Sequence, residues 1–378
     1  MIQKLHIQNF KSHVNTEFDF SNLNIFTGLN GMGKSSVIQS LLLLRQTYQK
    51  NILDKGLILN DNLCKLGTAK DVLCQTASEN SIRFLHIYNN KQFDWKFEII
   101  ENKLWDTFIP LKNKSIPEKY NLTDYNLFNN NFQYISAFRN GPLHDYEKDT
   151  SAVEIFNQIS KNEGRCEMIA HFLDYHRKEA VSDITLKKNQ DDEFSDLIIQ
   201  VQNWLSEISP DINIHVRGQE TTFKITYSYN RGEGKTPTQE FNAYNVGFGI
   251  SYALPIIVAA LHSPKDSIII IENPESHLHP EGQAKLMELI CKAAKTGVQF
   301  FIETHSDHIV NGMLVAVKRK IIEPSEVGLY YFNREKSSHE TKETFLQVVT
   351  GGKIKRPPKG FFDRMDKDLD ILMDMNNE

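Results

Sequence analysis

Gly28-Leu29-Asn30-Gly31-Met32-Gly33-Lys34-Ser35, followed by Ser36, is the stretch that decides the fold. Its pattern, Gly, four residues, then Gly-Lys-Ser, is that of a loop that wraps a chain of phosphates. Glycines let backbone N–H groups turn inward around phosphate oxygens, and the groups of Asn30, Gly31, Met32, Gly33 and Ser36 are the expected donors. Lys34 is expected to neutralise β/γ-phosphate charge, and the Ser35 hydroxyl to take a position on Mg²⁺. Working outward, residues 22–27 (NLNIFT) read as a strand. Residues 34–49 read as a helix with the apolar run Leu41-Leu42-Leu43-Leu44. A helix that starts at the loop points its positive dipole end at bound phosphate. The expected ligands are a chain of phosphates and Mg²⁺.

A second stretch fits beside the first. Residues 267–271 (SIIII) form an unbroken β-type run, the mark of a strand buried on both faces. It ends in Glu272-Asn273-Pro274-Glu275-Ser276-His277-Leu278-His279-Pro280. A buried strand ending in a carboxylate is where a phosphate-loop fold places its Mg²⁺ ligand, so Glu272 joins Ser35 as a metal candidate. An amphipathic helix is expected over 281–295 and another buried strand over 298–303, leading into Thr304-His305-Ser306-Asp307-His308. Strand, helix, strand at this spacing is a βαβ unit and predicts a parallel sheet. His305, at the end of the neighbouring strand, is placed to reach a γ-phosphate.

The remaining elements are shorter. Strands are expected over 2–9, 82–88, 95–100, 132–136, 212–216 and 222–229, and helices over 165–178, 191–208 and 250–261. The Asn-rich segment 121–131 reads as an irregular surface loop. The acidic groups at 191–193 and 363–370 read as solvated faces. The expected fold class is α/β, a mixed sheet with a parallel core and an antiparallel N-terminal sheet, plus a helical insertion. The expected division is a lobe with the phosphate loop (1–150), an insertion (151–240), a second lobe (241–335) and a C-terminal segment (336–378).

Composition narrows the class. The 378 residues are 40% hydrophobic and 24% charged, which excludes a disordered chain, a collagen and a disulfide scaffold. A net charge of −5 excludes a polycation that coats nucleic acid. Cys64, Cys74, Cys166 and Cys291 form no C-x-x-C pair, and unpaired thiols fit a reducing, cytoplasmic setting. The N-terminus has no apolar core of a signal peptide, and no apolar run approaches the ~20 residues of a membrane span. Two minor readings stay open: metal ligation by His277, His279, His305 and His308, and a nucleic-acid contact by Lys353, Lys355, Arg356 and Lys359 beside Phe361 and Phe362.

Taken together, these motifs resemble the ATP-binding-cassette (ABC) class of P-loop ATPase. By that resemblance Glu272 falls at the magnesium aspartate, Asn273 at the glutamate that polarises the attacking water, residues 276–279 at the D-loop and His305 at the switch histidine. Asn245-Val246-Gly247-Phe248-Gly249-Ile250-Ser251 resembles a degenerate signature loop, which implies that Gly247, Gly249 and Ser251 contact ATP held by a second subunit. More narrowly, the chain is similar to bacterial AAA-type ATPases with heads like those of the SMC, RecF and overcoming-lysogenization-defect (OLD) proteins. The matching pieces include Asn9-Phe10-Lys11-Ser12, which brings Lys11 into the nucleotide set, and Tyr134-Ile135-Ser136-Ala137 with Arg139 and Gly141-Pro142. They also include the ending Pro358-Lys359-Gly360-Phe361-Phe362-Asp363, similar to a C-terminal segment of unknown function.

Three departures shape the expectation. Glu272 replaces an aspartate. Asn273 is an amide that cannot take a proton, so turnover is expected to be slow, with Glu275 as a substitute base. The Q-loop glutamine has one candidate, Gln75. Arg139 is expected to reach nucleotide or a dimer partner, or else to make a surface ion pair. Neither coiled-coil arms nor a Toprim nuclease domain is expected. The resemblance implies an ATPase that forms a homodimer on ATP and serves bacterial anti-phage defence with a separate effector such as a nuclease. The alternatives are a DNA repair or recombination ATPase acting directly on DNA, and a non-hydrolysing ATP-sensing switch.

Overall fold

The computed structural model describes residues 1–117, 120–232, 234–334, 339–358 and 361. Two six-stranded sheets form its frame. In the first, alternation along Ile2–Phe10, Ser81–Tyr88 and Lys91–Glu98 turns Leu5, Ile7, Phe84, Phe93, Trp95 and Phe97 into one core. This sheet is antiparallel and runs from His13–Asp19 through those three strands to Phe108–Ser115 and Gly56–Ile58.

The second sheet runs in the order Thr341–Phe345, Val327–Arg334, Leu23–Gly28, Gln299–Glu303, Ile268–Glu272, Phe132–Ile135. All its neighbours pair in parallel except Thr341–Phe345, which pairs antiparallel. The isoleucine run explains its place. Successive side chains point to opposite faces, so Ile268 and Ile270 enter one core while Ile269 and Ile271 enter the other.

Helix Lys34–Gln49 is held in the core shared by the two sheets, and all four of its consecutive leucines are fully buried. Four consecutive leucines cover every side of one helical turn, and a turn of that kind needs such a position. The opposite face of the parallel sheet is covered by helices Phe248–His262, Pro280–Lys295 and Asp307–Lys318. Helices Ile169–His176 and Leu197–Leu205, with the antiparallel pair Ile212–Gly218 and Thr222–Tyr229, pack into that same core. The mixed sheet with a parallel core and the antiparallel N-terminal sheet are therefore as expected.

Some local expectations fail. The helices expected over 165–178 and 191–208 are shorter. Glu163, Gly164 and Cys166 take left-handed backbone ahead of the first. Before the second, half-buried Asp192 accepts hydrogen bonds from Asn203 Nδ2 (3.0 Å) and Gln200 Nε2 (3.2 Å) and so staples the approach, while Asp191 and Glu193 are exposed as expected. The Asn-rich segment is irregular and partly exposed, as expected, but its middle is buried. Tyr125 and Leu127 are fully buried, and the Tyr125 hydroxyl meets His86 Nδ1 at 2.7 Å. The acidic run over 363–370, Lys359 and Phe362 lie outside the described residues. Among the described residues no helix is long and apolar enough to cross a membrane.

Candidate nucleotide-binding site

The phosphate loop joins the central strand Leu23–Gly28 to helix Lys34–Gln49. Two of its glycines have no substitute. Gly28 has φ +137°, and a Cβ there would stand 2.3 Å from the Phe332 carbonyl oxygen. Gly33 has φ +100°, and its Cβ would stand 2.2 Å from Thr341 Oγ1. Lys34 is buried and folded back on its own loop, donating to the carbonyls of Gly28 (2.9 Å) and Leu29 (2.8 Å). Burial lowers its pKa, against the pull of Glu303 and Glu275.

Two residues outside the sequence-based set brace the loop. Buried His13 meets the Gly33 carbonyl through Nε2 (2.9 Å) and Thr16 Oγ1 through Nδ1 (3.0 Å). A carbonyl only accepts, so the proton sits on Nε2. Burial pushes this imidazole down to about 4, which keeps it neutral. Thr341 Oγ1 donates to the Met32 carbonyl (3.0 Å) and lies 2.6 Å from Ser12 Oγ. No local pattern could have revealed these contacts, because Thr341 comes from the far end of the chain.

A cavity of about 1010 Å³ opens over the loop. Asn30, Gly31, Met32, Gly33, Lys34, Ser35 and Ser36 form one wall, with Lys11, Gln75 and Glu303 on others. Lys11 is held there by Gln39, its Nζ 2.6 Å from Oε1. The sequence-based loop set, Lys11 and the candidate Gln75 are thus brought together, around a space large enough for a nucleotide.

The two strand-end carboxylates face each other across the parallel sheet, with Glu272 in register with Glu303. Ser35 Oγ donates to Glu303 Oε1 (3.0 Å). Glu272 accepts from the Tyr134 hydroxyl (3.3 Å) and the Ala137 N–H (3.1 Å). Burial raises the pKa of both carboxyls, and for Glu303 the neighbouring Glu272 raises it further. A serine hydroxyl beside two crowded carboxylates is a hard-oxygen donor set that fits Mg²⁺. Sequence reasoning omitted Glu303, although the signal used for Glu272 applies to it too: a buried strand that ends in a carboxylate.

A smaller pocket, about 330 Å³, shares Ser35 and Glu303 with the first and adds Glu272, Asn273 and His305. Asn273 has φ +47°, a left-handed conformation that asparagine enters more readily than glutamate does. Glu275 lines neither cavity. Its two oxygens accept from Thr304 Oγ1 (2.8 Å) and the His305 N–H (2.9 Å), so it braces the turn that presents His305.

Arg139 reaches neither nucleotide nor surface. It is 2% exposed and donates to four backbone carbonyls: Ser136 (3.0 Å), Tyr252 (3.1 Å), Glu272 (2.7 Å) and Asn273 (2.7 Å). It thereby ties the end of the carboxylate strand to helix Phe248–His262.

The signature-like turn lies apart. Gly247 and Phe248 are exposed at the start of that helix. Gly249 is packed on the D-loop segment, where a Cβ would stand 2.5 Å from the His277 carbonyl oxygen. Ser251 departs from its expected role. It is buried beside the hydroxyls of Tyr146 and Tyr227. None of these residues lines either cavity. The His277 ring packs on Tyr252, and His279 Nδ1 caps the next helix by accepting from the Glu281 N–H (3.4 Å). Those two histidines therefore serve packing and capping.

A family model described as "AAA domain, putative AbiEii toxin, Type IV TA system" matches residues 23–311. A second, "Protein of unknown function (DUF3696)", matches residues 322–372, the region of the C-terminal resemblance. Among curated proteins none matches. Similar solved structures include an SMC head bound to the C-winged helix domain of ScpA, 12% identical with a TM-score of 0.50, covering 92% of this chain and 98% of that one. They also include the SMC head domain from Thermotoga maritima, 12% identical with a TM-score of 0.46, covering 92% of this chain and 99% of that one. At such identity the first likeness shows the fold alone, an ABC-type ATPase head.

Proposed function

The chain belongs to the family described as AAA domain, putative AbiEii toxin of Type IV TA systems, and from that premise we propose a Mg-ATP-dependent switch subunit that pairs with a second copy of itself. The observation that carries this reading is that Lys34, Ser35 and Glu303 line the large cavity while Ser35 and Glu303, with Glu272, also line the smaller pocket beside it. On binding ATP, Lys34 exchanges the Gly28 and Leu29 carbonyls for β/γ-phosphate oxygens. Ser35 and Glu272, with Glu303 adjacent, would hold Mg²⁺, which supplies neutralisation of phosphate charge. His305 faces the position of the γ-phosphate. Asn273 orients a water without deprotonating it, so turnover is slow. Glu275 acts as a positioning residue for His305 rather than as a base.

The exposed Gly247–Phe248 turn is the surface that meets the nucleotide of the second copy. Phe138, 78% exposed beside the smaller pocket, adds apolar area to that contact. ATP then favours the closed pair, because it touches both chains only when they meet. The family description names a toxin–antitoxin system; beyond it, our reading is a bacterial anti-phage defence role in the cytoplasm with a separate effector such as a nuclease.

The test is sedimentation with and without Mg-ATP, alongside direct ATP binding. Lys34→Ala is expected to weaken ATP binding by about a hundredfold and to abolish ATP-dependent pairing. Unchanged affinity would reject the site. A non-hydrolysing switch is the second reading, favoured by the amide at Asn273. Phosphate release no faster than from Lys34→Ala, with tight ATP binding retained, selects it. Higher turnover in Asn273→Glu selects the slow ATPase.

A further inference from the structure

Helices Ile169–His176 and Phe248–His262 end side by side, and each places a histidine in its last turn. Glu179, just beyond the first helix, comes between them. One ligating atom from each of His176, Glu179 and His262 lies within 4.8 Å of the others. His176 Nδ1 is 2.9 Å from Glu179 Oε1, and His262 Nε2 is 3.3 Å from Glu179 Oε2. The two imidazole rings are 4.2 Å apart. None of the three residues lines the nucleotide cavities.

His176 makes this more than a surface ion pair. It is 8% exposed; among the described residues its Nε2 has no hydrogen-bond partner, and its Nδ1 has only the 2.9 Å approach to Glu179 Oε1. A buried ring nitrogen left without a partner carries the cost of its desolvation. One ion shared with Glu179 and His262 removes that cost. Two helix C-termini also meet here, and their partial negative charge favours a cation.

We infer that His176, Glu179 and His262 form a site for one divalent transition-metal ion of the Zn²⁺ class. Two imidazoles and a carboxylate suit Zn²⁺ and disfavour Mg²⁺ or Ca²⁺, which prefer all-oxygen shells. Three protein ligands leave a fourth position for water, on the side where the Glu179 side chain is 53% exposed. The ion ties the helix Ile169–His176 to the far end of the helix that starts at the Gly247 turn. It thereby braces the element that carries the proposed pairing surface.

The test uses the full chain, stripped with a chelator and held in Mg²⁺-free buffer. Zn²⁺ is titrated calorimetrically, and Co²⁺ is followed by visible absorbance. Wild type is expected to take one equivalent of Zn²⁺ with Kd on the order of 1 μM or tighter, and to give the intense visible band of low-coordinate Co²⁺. Because the His176 and His262 side chains are both largely buried, at 10% and 12% exposure, variants there risk misfolding. The exposed-side variant Glu179→Gln is therefore read first, and His262→Gln is used with its Tm checked against wild type. Each should weaken Zn²⁺ by about tenfold or more while leaving ATP binding intact. No binding at about 100 μM Zn²⁺, or affinity unchanged in both variants, overturns the assignment and leaves a plain His–Glu–His ion pair.

Discussion

The phosphate loop and the Gly247 turn are both glycine-bearing turns that open a helix, yet their surroundings are opposite. Around the first, Phe332 closes on Gly28, Thr341 and His13 hold Gly33, and Thr341 also holds Met32. Around the second, a Cβ added at Gly247 would meet nothing within 4 Å, and Phe248 is 53% exposed. One turn is pre-organised by its own chain. The other has its shape but, among the described residues, little beyond the His277 ring beside Phe248. A preformed cradle needs no ordering when ligand arrives, whereas an open turn gains its contacts only through association. That asymmetry is what a half-site completed by a second copy should look like.

The contrast breaks first at Gly28. Alanine there combines a forbidden φ with a Cβ driven into a backbone oxygen that sits in a sheet and cannot retreat. The expected loss is about 3 kcal/mol or more, a fall in Tm of roughly 6 °C for a chain of this size. Thermal unfolding without nucleotide measures it. A drop under about 1 °C would mean that the loop is not braced by Phe332.

Glu303→Gln sharpens the contrast from the metal side. Burial holds Glu272 and Glu303 above the ordinary carboxyl value of 4.5, so ionising them opposes folding. Their contribution costs stability progressively as pH rises through 4.5 toward the shifted values. His13 runs the other way. Its folded value of about 4 lies below the ordinary 6.5, so its contribution is present above 6.5 and lost as pH falls toward 4. Glutamine at 303 keeps an acceptor for Ser35 and removes the repulsion. The nucleotide-free protein should gain about 2 °C in Tm, while the Mg²⁺-dependent part of ATP affinity falls about tenfold. A lower Tm with Mg²⁺ dependence intact would reduce Glu303 to a prop for Ser35.

The sequence made legible what depends on neighbours in the chain. The loop spacing located Lys34 and Ser35, and the isoleucine run located Glu272, because period and burial on both faces are local properties. Distant contacts left no trace. Arg139 stands in a turn of polar and small residues, and only the fold shows it threading four carbonyls from three segments. Ser251 follows a glycine turn as a signature serine would. One helical turn rotates it toward Tyr146 and Tyr227, and a motif written in one dimension does not specify that rotation. His176 and Glu179 are three residues apart and readable as a helical-type pair. His262 joins them from 83 residues further on.

The smallest change in stability should carry the most information about pairing. Gly247 has φ −59° and ψ 131° and caps helix Phe248–His262, a conformation that aspartate adopts without strain. Asp at an N-cap also satisfies a free helix N–H and complements the dipole, so Gly247→Asp should leave Tm unchanged or raise it slightly, by about 1 °C. Its charge would nevertheless face the triphosphate held by the other copy. Gly247→Asn keeps the cap and the size without the charge, and serves as the control. The expected outcome at saturating Mg-ATP is a monomeric Asp variant and a paired Asn variant, each binding ATP through its own intact loop. If the Asp variant pairs as wild type does, the turn is not at the seam, and the open surroundings of Gly247 then belong to a contact with some other molecule.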